Sequence, residues 1–489
     1  MQAAVDWING WVWSNGLIFL CLAAGLYFSI RTRFLQLRHF GEMFRLMFDG
    51  KASAAGVSSF QALAMSLSGR VGIGNIAGVA TAIAFGGPGA VFWMWMVAFL
   101  GASTAFVEAT LGQLYKEEHH GQYRGGPAFY IEKGLGWKWY SIIFALATIF
   151  ACGILLPGMQ GYGIASGLQN AFGMPPAVTG AIVVLMLGMI IFGGVKRIAS
   201  FTQFVVPFMA LGYLLIAFTV VALNISALPD VLMLIVKSAF GAEAGFGAML
   251  GLAIQWGVKR GIYSNEAGQG SAPHAAAAAE VSHPAKQGLV QAFSVYIDTL
   301  VVCSATAFMI LITGKYNVIG PDGQTIVSGV AGIEAGAAYT QAAVESVLPG
   351  FGAVFVGIAL FFFAFTTMLS YYYVAETNLS YLCRKINAPW LFVLLKLILL
   401  AAALYGCVRT SALAWGMGDI GVGVMAWLNI IAILVLQKPA LALLKDYETQ
   451  QAQGLDPVFS PAQSGIAASE IWSKKAQLIS NAEEKVMHD

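Results

Sequence analysis

The sequence predicts an all-α membrane protein of eleven transmembrane helices, arranged as two inverted five-helix repeats plus one extra N-terminal helix. Three observations predict it. Of the 489 residues, 58% are hydrophobic and only 10% are charged, where an ordinary soluble domain carries about 25%. Eleven apolar stretches approach the ~20 residues that a spanning helix needs. Two of these, five helices apart, are interrupted by glycine and polar residues, and an odd repeat length turns the second half of a chain over relative to the first.

The same composition excludes other classes. A soluble enzyme of this size needs more polar residues to cover itself. The 26 Lys and Arg against 24 Asp and Glu leave no basic excess to meet phosphates, so the expected partner is the lipid bilayer and not nucleic acid. Cys21, Cys152, Cys303, Cys383 and Cys407 are scattered through apolar stretches and form neither a disulfide framework nor a zinc pattern. Met1 to Ser14 holds Asp6 and no Lys or Arg. A signal-peptide n-region is therefore missing, and the first apolar run is expected to stay in the membrane.

The spans fall near 14–30, 59–85, 88–114, 139–165, 175–194, 199–223, 243–273, 286–313, 348–380, 389–407 and 412–436. The extra helix and a basic segment occupy 1–58. The first repeat is 59–223, the second 224–437, and 438–489 is a charged tail. Alternate connections hold Arg31, Arg33, Arg38, Arg45 and Lys51, then Lys116, Arg124, Lys133 and Lys138, then Lys196 and Arg197, Lys286, and Arg384 with Lys385. The opposite connections hold only Lys237, Lys315 and Arg409. Cytoplasmic loops carry the excess of Lys and Arg. The N-terminus is therefore expected outside, and the tail inside as a mobile or helical extension. The connection from Gly314 to Pro349 is expected outside, as a lid over a vestibule.

In the second span, Gly69, Gly72, Gly74 and Gly78 lie among Ser66, Ser68, Arg70 and Asn75. Each glycine costs roughly 1 kcal/mol in a helix interior relative to alanine. Unwound backbone at membrane depth is tolerated only inside protein or beside a watery cavity, so a break here implies a site. The spacing G-x-G-x-x-x-G, with no strand–helix unit around it, is not a dinucleotide fingerprint. In the seventh span, Lys259, Arg260, Asn265 and Glu266 separate an apolar run from the alanines Ala275–Ala279. That polar part is either a second break or a cytoplasmic rim. Paired interruptions in matching positions point to the binding site of a secondary transporter.

An unwound segment offers N–H groups to an anion and C=O groups to a cation, which suits an α-amino acid and a sodium ion. The peptide groups at Gly72 and Gly74, with Asn75, are the first candidate substrate contacts. Gln160, in the polar stretch Pro157–Gly163 of the fourth span, is another, and Trp256 is a candidate pocket wall. The ninth span offers hydroxyls at Thr366, Thr367 and Ser370 for a cation. Asp298 and Asp419 receive no role, Glu108 and Glu376 are expected near helix ends at the membrane interface, and nothing beside His274 or His283 completes a metal set.

The stretches Gly72–Thr81, Gly86–Trp93 and Ser264–Pro273 resemble the signatures of the alanine or glycine:cation symporter family, the sodium:alanine symporters. The likeness runs from about residue 14 to 437. It implies a leucine-transporter-type core and sodium-coupled uptake of small neutral amino acids by alternating access. Val71 to Asn75 is also similar to the first-helix motif of the neurotransmitter:sodium symporters. That resemblance makes Asn75 a ligand of a first sodium ion. It makes Val71, Thr366 and Thr367, with Ser68 nearby, the ligands of a second. The arginine that forms an outer gate in those proteins is replaced here by Ile76-Ala77-Gly78. Proton-coupled transporters of this build tend to place a lysine in the fifth core helix, and 199–223 contains no charged residue. The expectation is therefore a sodium-coupled importer of alanine or glycine in a bacterial inner membrane, without enzymatic activity and without a cofactor beyond the coupling ion. The alternative within transport is a proton-coupled amino-acid permease. A channel lacks its ring of pore-lining charge, and an intramembrane enzyme lacks its catalytic constellation.

Overall fold

The protein is seen in a computed structural model that describes residues 1–242 and 249–475. Its helices are α1 Gln2–Val12, α2 Asn15–Arg31, α3 Ser59–Arg70, α4 Gly74–Gly86 and α5 Gly89–Leu114. Next come α6 Lys138–Phe172, α7 Pro176–Ile191, α8 Val195–Leu223, α9 Leu228–Ala239, α10 Leu250–Asn265 and α11 Ala272–Ala278. Then follow α12 Pro284–Thr313, α13 Ala337–Val347, α14 Gly352–Leu382, α15 Pro389–Cys407, α16 Ser411–Val435 and α17 Gln437–Ala452, and short helices such as Leu35–Arg38, Phe40–Leu46 and Pro127–Tyr130 lie in connections. Two small antiparallel hairpins lie in connections: β1 Glu117–His119 with β2 Gln122–Arg124, and β3 Asn317–Ile319 with β4 Thr325–Ser328.

A helix lies over each of the eleven expected segments, but they are not equal. Among the described residues, seven helices are long and apolar enough to cross a bilayer, and the bent pairs α1/α2 and α3/α4 bring the number to nine. The 16-residue α7 is shorter, and α10 carries Lys259 and Arg260 within its length. The expected start of the seventh span, 243–248, lies outside the described residues.

Local chemistry sets the breaks. Helix α3 begins with a capping box: the Ser58 hydroxyl accepts the Gln61 N–H, and the Gln61 side chain accepts the Ser58 N–H. This satisfies two of the orphan donors at a helix start. The helix stops at Val71, whose ψ of 83° leaves the helical region. The chain resumes as a π-helical turn, Gly74–Gly78, bent by 49°. Helix α10 stops at Glu266, which takes a left-handed φ of 55°, followed by Gly268 at 82° and Gly270 at 86°. Positive φ at three of five consecutive residues is glycine geometry. The break is therefore written into the sequence, and Glu266 is held in it by its neighbours. Within α6, a π-helical turn at Ala151–Leu155 precedes Pro157. The widened turn makes room for a residue that clashes with the carbonyl four positions back.

Burial tells which helices form the centre. The apolar windows of α5, α12 and α14 are 67%, 72% and 67% buried, whereas those of α8 and α15 are 28% buried. The first three are inner helices, and the last two face outward. The two broken helices lie among the inner ones. Val57, before α3, forms a bridge to Ala279 after α11, with the Val57 N–H donating to Ala278 O at 2.9 Å.

The tail is helical, as one of its expected forms, but it is not free of the bundle. After α17 the chain returns to the connection between α11 and α12. The Phe459 N–H donates to Ser282 O at 2.9 Å, and the Trp472 indole donates to Gln113 O at 3.0 Å. Asp456 pairs with Lys286, Lys475 with Glu280, and Asp446 with His283. Of the basic residues expected on one membrane side, Lys286 thus lies under the tail. Trp472 is fully buried, and truncating a buried Trp costs roughly 3–5 kcal/mol. Trp472→Ala should therefore release the segment from Leu455 onward. Chymotrypsin should then cut at Leu455 and Phe459 much faster than in the parent protein. Equal digestion rates would show that the indole does not anchor the tail.

Candidate functional site

The two breaks face each other. A Cβ on Gly74 would lie 3.0 Å from the Tyr263 ring and 3.3 Å from Ser264 Cα, and one on Gly72 would lie 2.5 Å from Thr367 Oγ1. Only glycine lets these backbones approach so closely.

Two side-chain amides hold the freed peptide groups of the first break. The Gly72 N–H donates to Asn75 Oδ1 at 2.8 Å, and the Ile73 N–H donates to Gln160 Oε1 at 3.2 Å. Gln160 in turn donates to the Tyr263 hydroxyl at 3.2 Å. Asn75 donates to Asp298 Oδ1 at 2.6 Å. Asp298 also accepts the Ser264 hydroxyl at 3.1 Å and the Thr299 hydroxyl at 2.7 Å. Asn75, Gln160, Ser264, Asp298 and Thr299 are all buried.

The second break is held by Glu108 of α5. Its carboxyl oxygens accept the N–H groups of Gly268 at 3.1 Å and Gly270 at 3.2 Å, and the Asn429 amide at 2.7 Å. Glu108 lies near the end of α5, as expected, but is fully buried among other helices, which corrects its expected place at the membrane interface. A lone acid inside a long apolar helix reads as a boundary residue until its distant partners are known. Glu266 likewise lies inside the bundle, accepting the Ser271 hydroxyl at 2.7 Å, so the second interruption is a break and not a rim. Glu376 pairs with Arg124 at 3.5 Å.

The hydroxyls of the ninth span separate. Thr367 Oγ1 lies 3.5 Å from Val71 O while donating to Phe363 O at 2.9 Å. Adjacent helical residues point about 100° apart, and Thr366 turns away, onto Phe362 O at 2.9 Å and toward Met209 of α8. The expected pairing of both threonines at the break is thus corrected to Thr367 alone. Ser68 and Ser370 both donate to Met65 O, at 2.7 and 3.3 Å. Freed carbonyls, hydroxyls and a carboxylate are the hard oxygen donors a small alkali ion takes.

Trp256 is not at the break. It precedes Tyr263 by two helical turns, about 10 Å, and stacks on Phe85 with ring centres 4.9 Å apart. It lines a cavity of about 860 Å³ shared with Tyr162, Glu334 and Trp415. A second cavity of about 540 Å³, also lined by Tyr162, Glu334 and Trp415, reaches Ile73 and Ala77 at the break. Both lie on the side of the 314–349 connection. The aromatic rings nearest the glycines are Tyr263 and Trp415, 5.7 Å apart. The larger cavity holds an ion triad: Asp419 takes Lys259 and Arg260, each at 2.7 Å. Arg260 also lies 4.2 Å over the Trp415 ring. Lys259 and Arg260 sit inside the protein and not at a rim.

Known proteins resemble the chain over most of its length. The family model described as "Sodium:alanine symporter family" matches residues 1–461. A candidate sodium/proton-dependent alanine carrier of Bacillus subtilis is 63% identical over 468 residues, covering 96% of this chain and 97% of its own. A sodium/proton-dependent alanine carrier of Bacillus sp. PS3 is 56% identical, covering 88% of this chain and 97% of its own. Among solved structures, a Na⁺-coupled sialic acid symporter in a substrate-bound outward-open state superposes with a TM-score of 0.50 at 14% identity, over 92% of this chain and 93% of that one. That last likeness shows a shared fold alone. The chain is a membrane transporter and not an enzyme, and it belongs to the sodium:alanine symporter family.

Proposed function

We propose that the protein imports alanine or glycine together with sodium across a bacterial inner membrane by alternating access. The observation that carries this reading is the pair of facing breaks, at which the Gly72 and Ile73 N–H groups rest on side-chain amide oxygens. A substrate carboxylate takes those two N–H groups in place of the amides. Tyr263, packed against Gly74, is the wall that its small side chain meets. Asn75 serves the first sodium ion, and Val71 O with Thr367, beside Ser68, serves the second.

The fold reading goes with it. Eleven spans form two inverted repeats, 59–223 and 224–437, around the breaks, in a core of the leucine-transporter type. The N-terminus and the cavities beside 314–349 lie outside, and the tail lies in the cytoplasm, where the basic connections gather. One sodium ion moving down about 100 mV releases about 2.3 kcal/mol, and a tenfold gradient adds about 1.4 kcal/mol. Together they sustain roughly 500-fold accumulation of a neutral solute.

Proton coupling is the second reading. It is favoured by the buried acids Glu108, Glu266 and Asp298 and by the words "sodium/proton-dependent" in the names of two relatives. Uptake of labelled alanine into proteoliposomes separates the two. With sodium outside, alanine accumulates, and replacing sodium by choline at constant pH reduces initial uptake at least tenfold. Thr367→Ala should weaken the sodium dependence, whereas Thr366→Val should leave it near the parent value. Uptake indifferent to sodium but driven by an inward proton gradient would install the second reading.

The wall of the pocket makes a separate prediction. Tyr263→Ala should let larger neutral amino acids, such as leucine, compete with alanine. Trp256→Ala should leave the competition profile unchanged, because its ring stands in the outer cavity. One methylene discriminates by only ~1–3 kcal/mol, so the comparison needs residues several carbons larger. A widened profile for Trp256→Ala alone would return the size limit to that ring.

A further inference from the structure

The two broken helices meet a second time, away from their breaks. Helix α3 runs from Ser59 to the first break, and α11 runs from the second break to Ala278. Backbone ties their outer ends. The Val57 N–H donates to Ala278 O at 2.9 Å, and the Glu280 N–H donates to Val57 O at 2.8 Å. The Glu280 carboxylate adds the Ser53 hydroxyl at 2.6 Å. Helix α5 and the residues after it brace the same spot: Gln113 and Lys116 donate to Ala279 O at 3.0 and 2.7 Å.

The tail sits on this tie. Lys475 donates to the Glu280 carboxylate and to Val281 O at 3.4 Å. The ring of Trp472 covers Lys116, whose nitrogen lies 5.3 Å from the ring centre, while its indole N–H takes Gln113 O. The Ser469 N–H donates to Leu114 O at 3.2 Å. The tail thus grips the groups that brace Ala279 and the carboxylate that holds Ser53.

The cavities tell what the tie closes. On the side of the 314–349 connection, a cavity reaches Ile73 and Ala77 at the first break. On the tail side, a cavity of about 440 Å³ ends among Ser59, Glu280, Lys286, Asp456 and Phe459, and touches neither break among the described residues. Between that cavity and the breaks, Ala62–Arg70 and the whole of α11 are buried. Alternating access requires this side to open as well. The non-helical Val71 and the left-handed turn from Glu266 to Gly270 are where α3 and α11 can hinge. Neither can swing far until its outer end leaves the tie.

We propose that the tail is a latch: Trp472 and Lys475 hold the outer ends of α3 and α11 together and so restrain opening of the site toward the tail side. With the latch seated the transporter turns over slowly, and with it lifted it turns over faster. The Lys475 and Glu280 side chains are 18% and 21% exposed, and an ion pair reached by water is weak enough to part and re-form. The proposal rests on the import reading and adds a restraint on its rate.

The test is amide hydrogen exchange of the full chain in proteoliposomes, read over 59–70 and 272–278, beside sodium-driven uptake of labelled alanine. Lys475→Ala should speed exchange through both helices, and the initial uptake rate with it, by roughly two- to fivefold, the weight of one partly exposed ion pair. Lys475→Arg keeps the charge and should stay near the parent in both. Trp472→Ala should exceed Lys475→Ala in both. A merely local contact would quicken exchange at Ala279–Val281 alone. That pattern, or uptake that is unchanged or slower in Lys475→Ala, overturns the proposal. If the parent protein takes up no alanine with sodium, it is the import reading that fails, and exchange along α3 and α11 still decides whether the tail is a latch.

Discussion

The structure depends on one constraint: in an apolar interior, every peptide group released from a helix must find a partner. The chain releases such groups twice and supplies the partners from other helices. Asn75 and Gln160 take the N–H groups of the first break, and Glu108 takes those of the second. The glycines permit the turns, but these three side chains make the turns tolerable. A site built this way binds through backbone dipoles that are already aimed, so little ordering remains to be done when a ligand enters.

The charges are layered around that centre. Asp419 with Lys259 and Arg260 lines the cavity on one side of the breaks, among Trp256, Tyr162 and Trp415. In the middle stand Asp298, Glu266 and Glu108, held by hydroxyls, amides and peptide groups. On the far side, the tail closes over Lys286 and Glu280 with opposite charges of its own. Full ion pairs thus occupy both ends, while the carboxyls at the centre are hydrogen-bonded by neutral donors with the buried Arg70 guanidinium near them.

Much of this was legible in the residues. The glycines from Gly69 to Gly78 announced a break because no helix tolerates them without a reason, and Asn75 and Gln160 stood out as polar groups beside small ones. Thr367 was legible as half of a pair, but which of two adjacent hydroxyls faces the break depends on the rotation of α14, which composition does not fix. Trp256 was misplaced because nearness in sequence to a break is not nearness in space along a rigid helix. Glu108 and Asp298 were unreadable for another reason. Each is a single acid in an apolar helix, and the partners that give it meaning lie 160 and 223 residues away. The ion triad from α10 and α16 is equally non-local. The tail showed its charge but not its docking, since Phe459 and Trp472 are isolated aromatics in a polar segment.

The most direct measurement is an experimental structure of the full chain with alanine and sodium bound. The account predicts a substrate carboxylate within hydrogen-bonding distance of the Gly72 and Ile73 nitrogens, with the Asn75 and Gln160 amide oxygens displaced from them. A substrate held by the Lys259–Arg260 pair, with both amides still seated on those peptide groups, would contradict it.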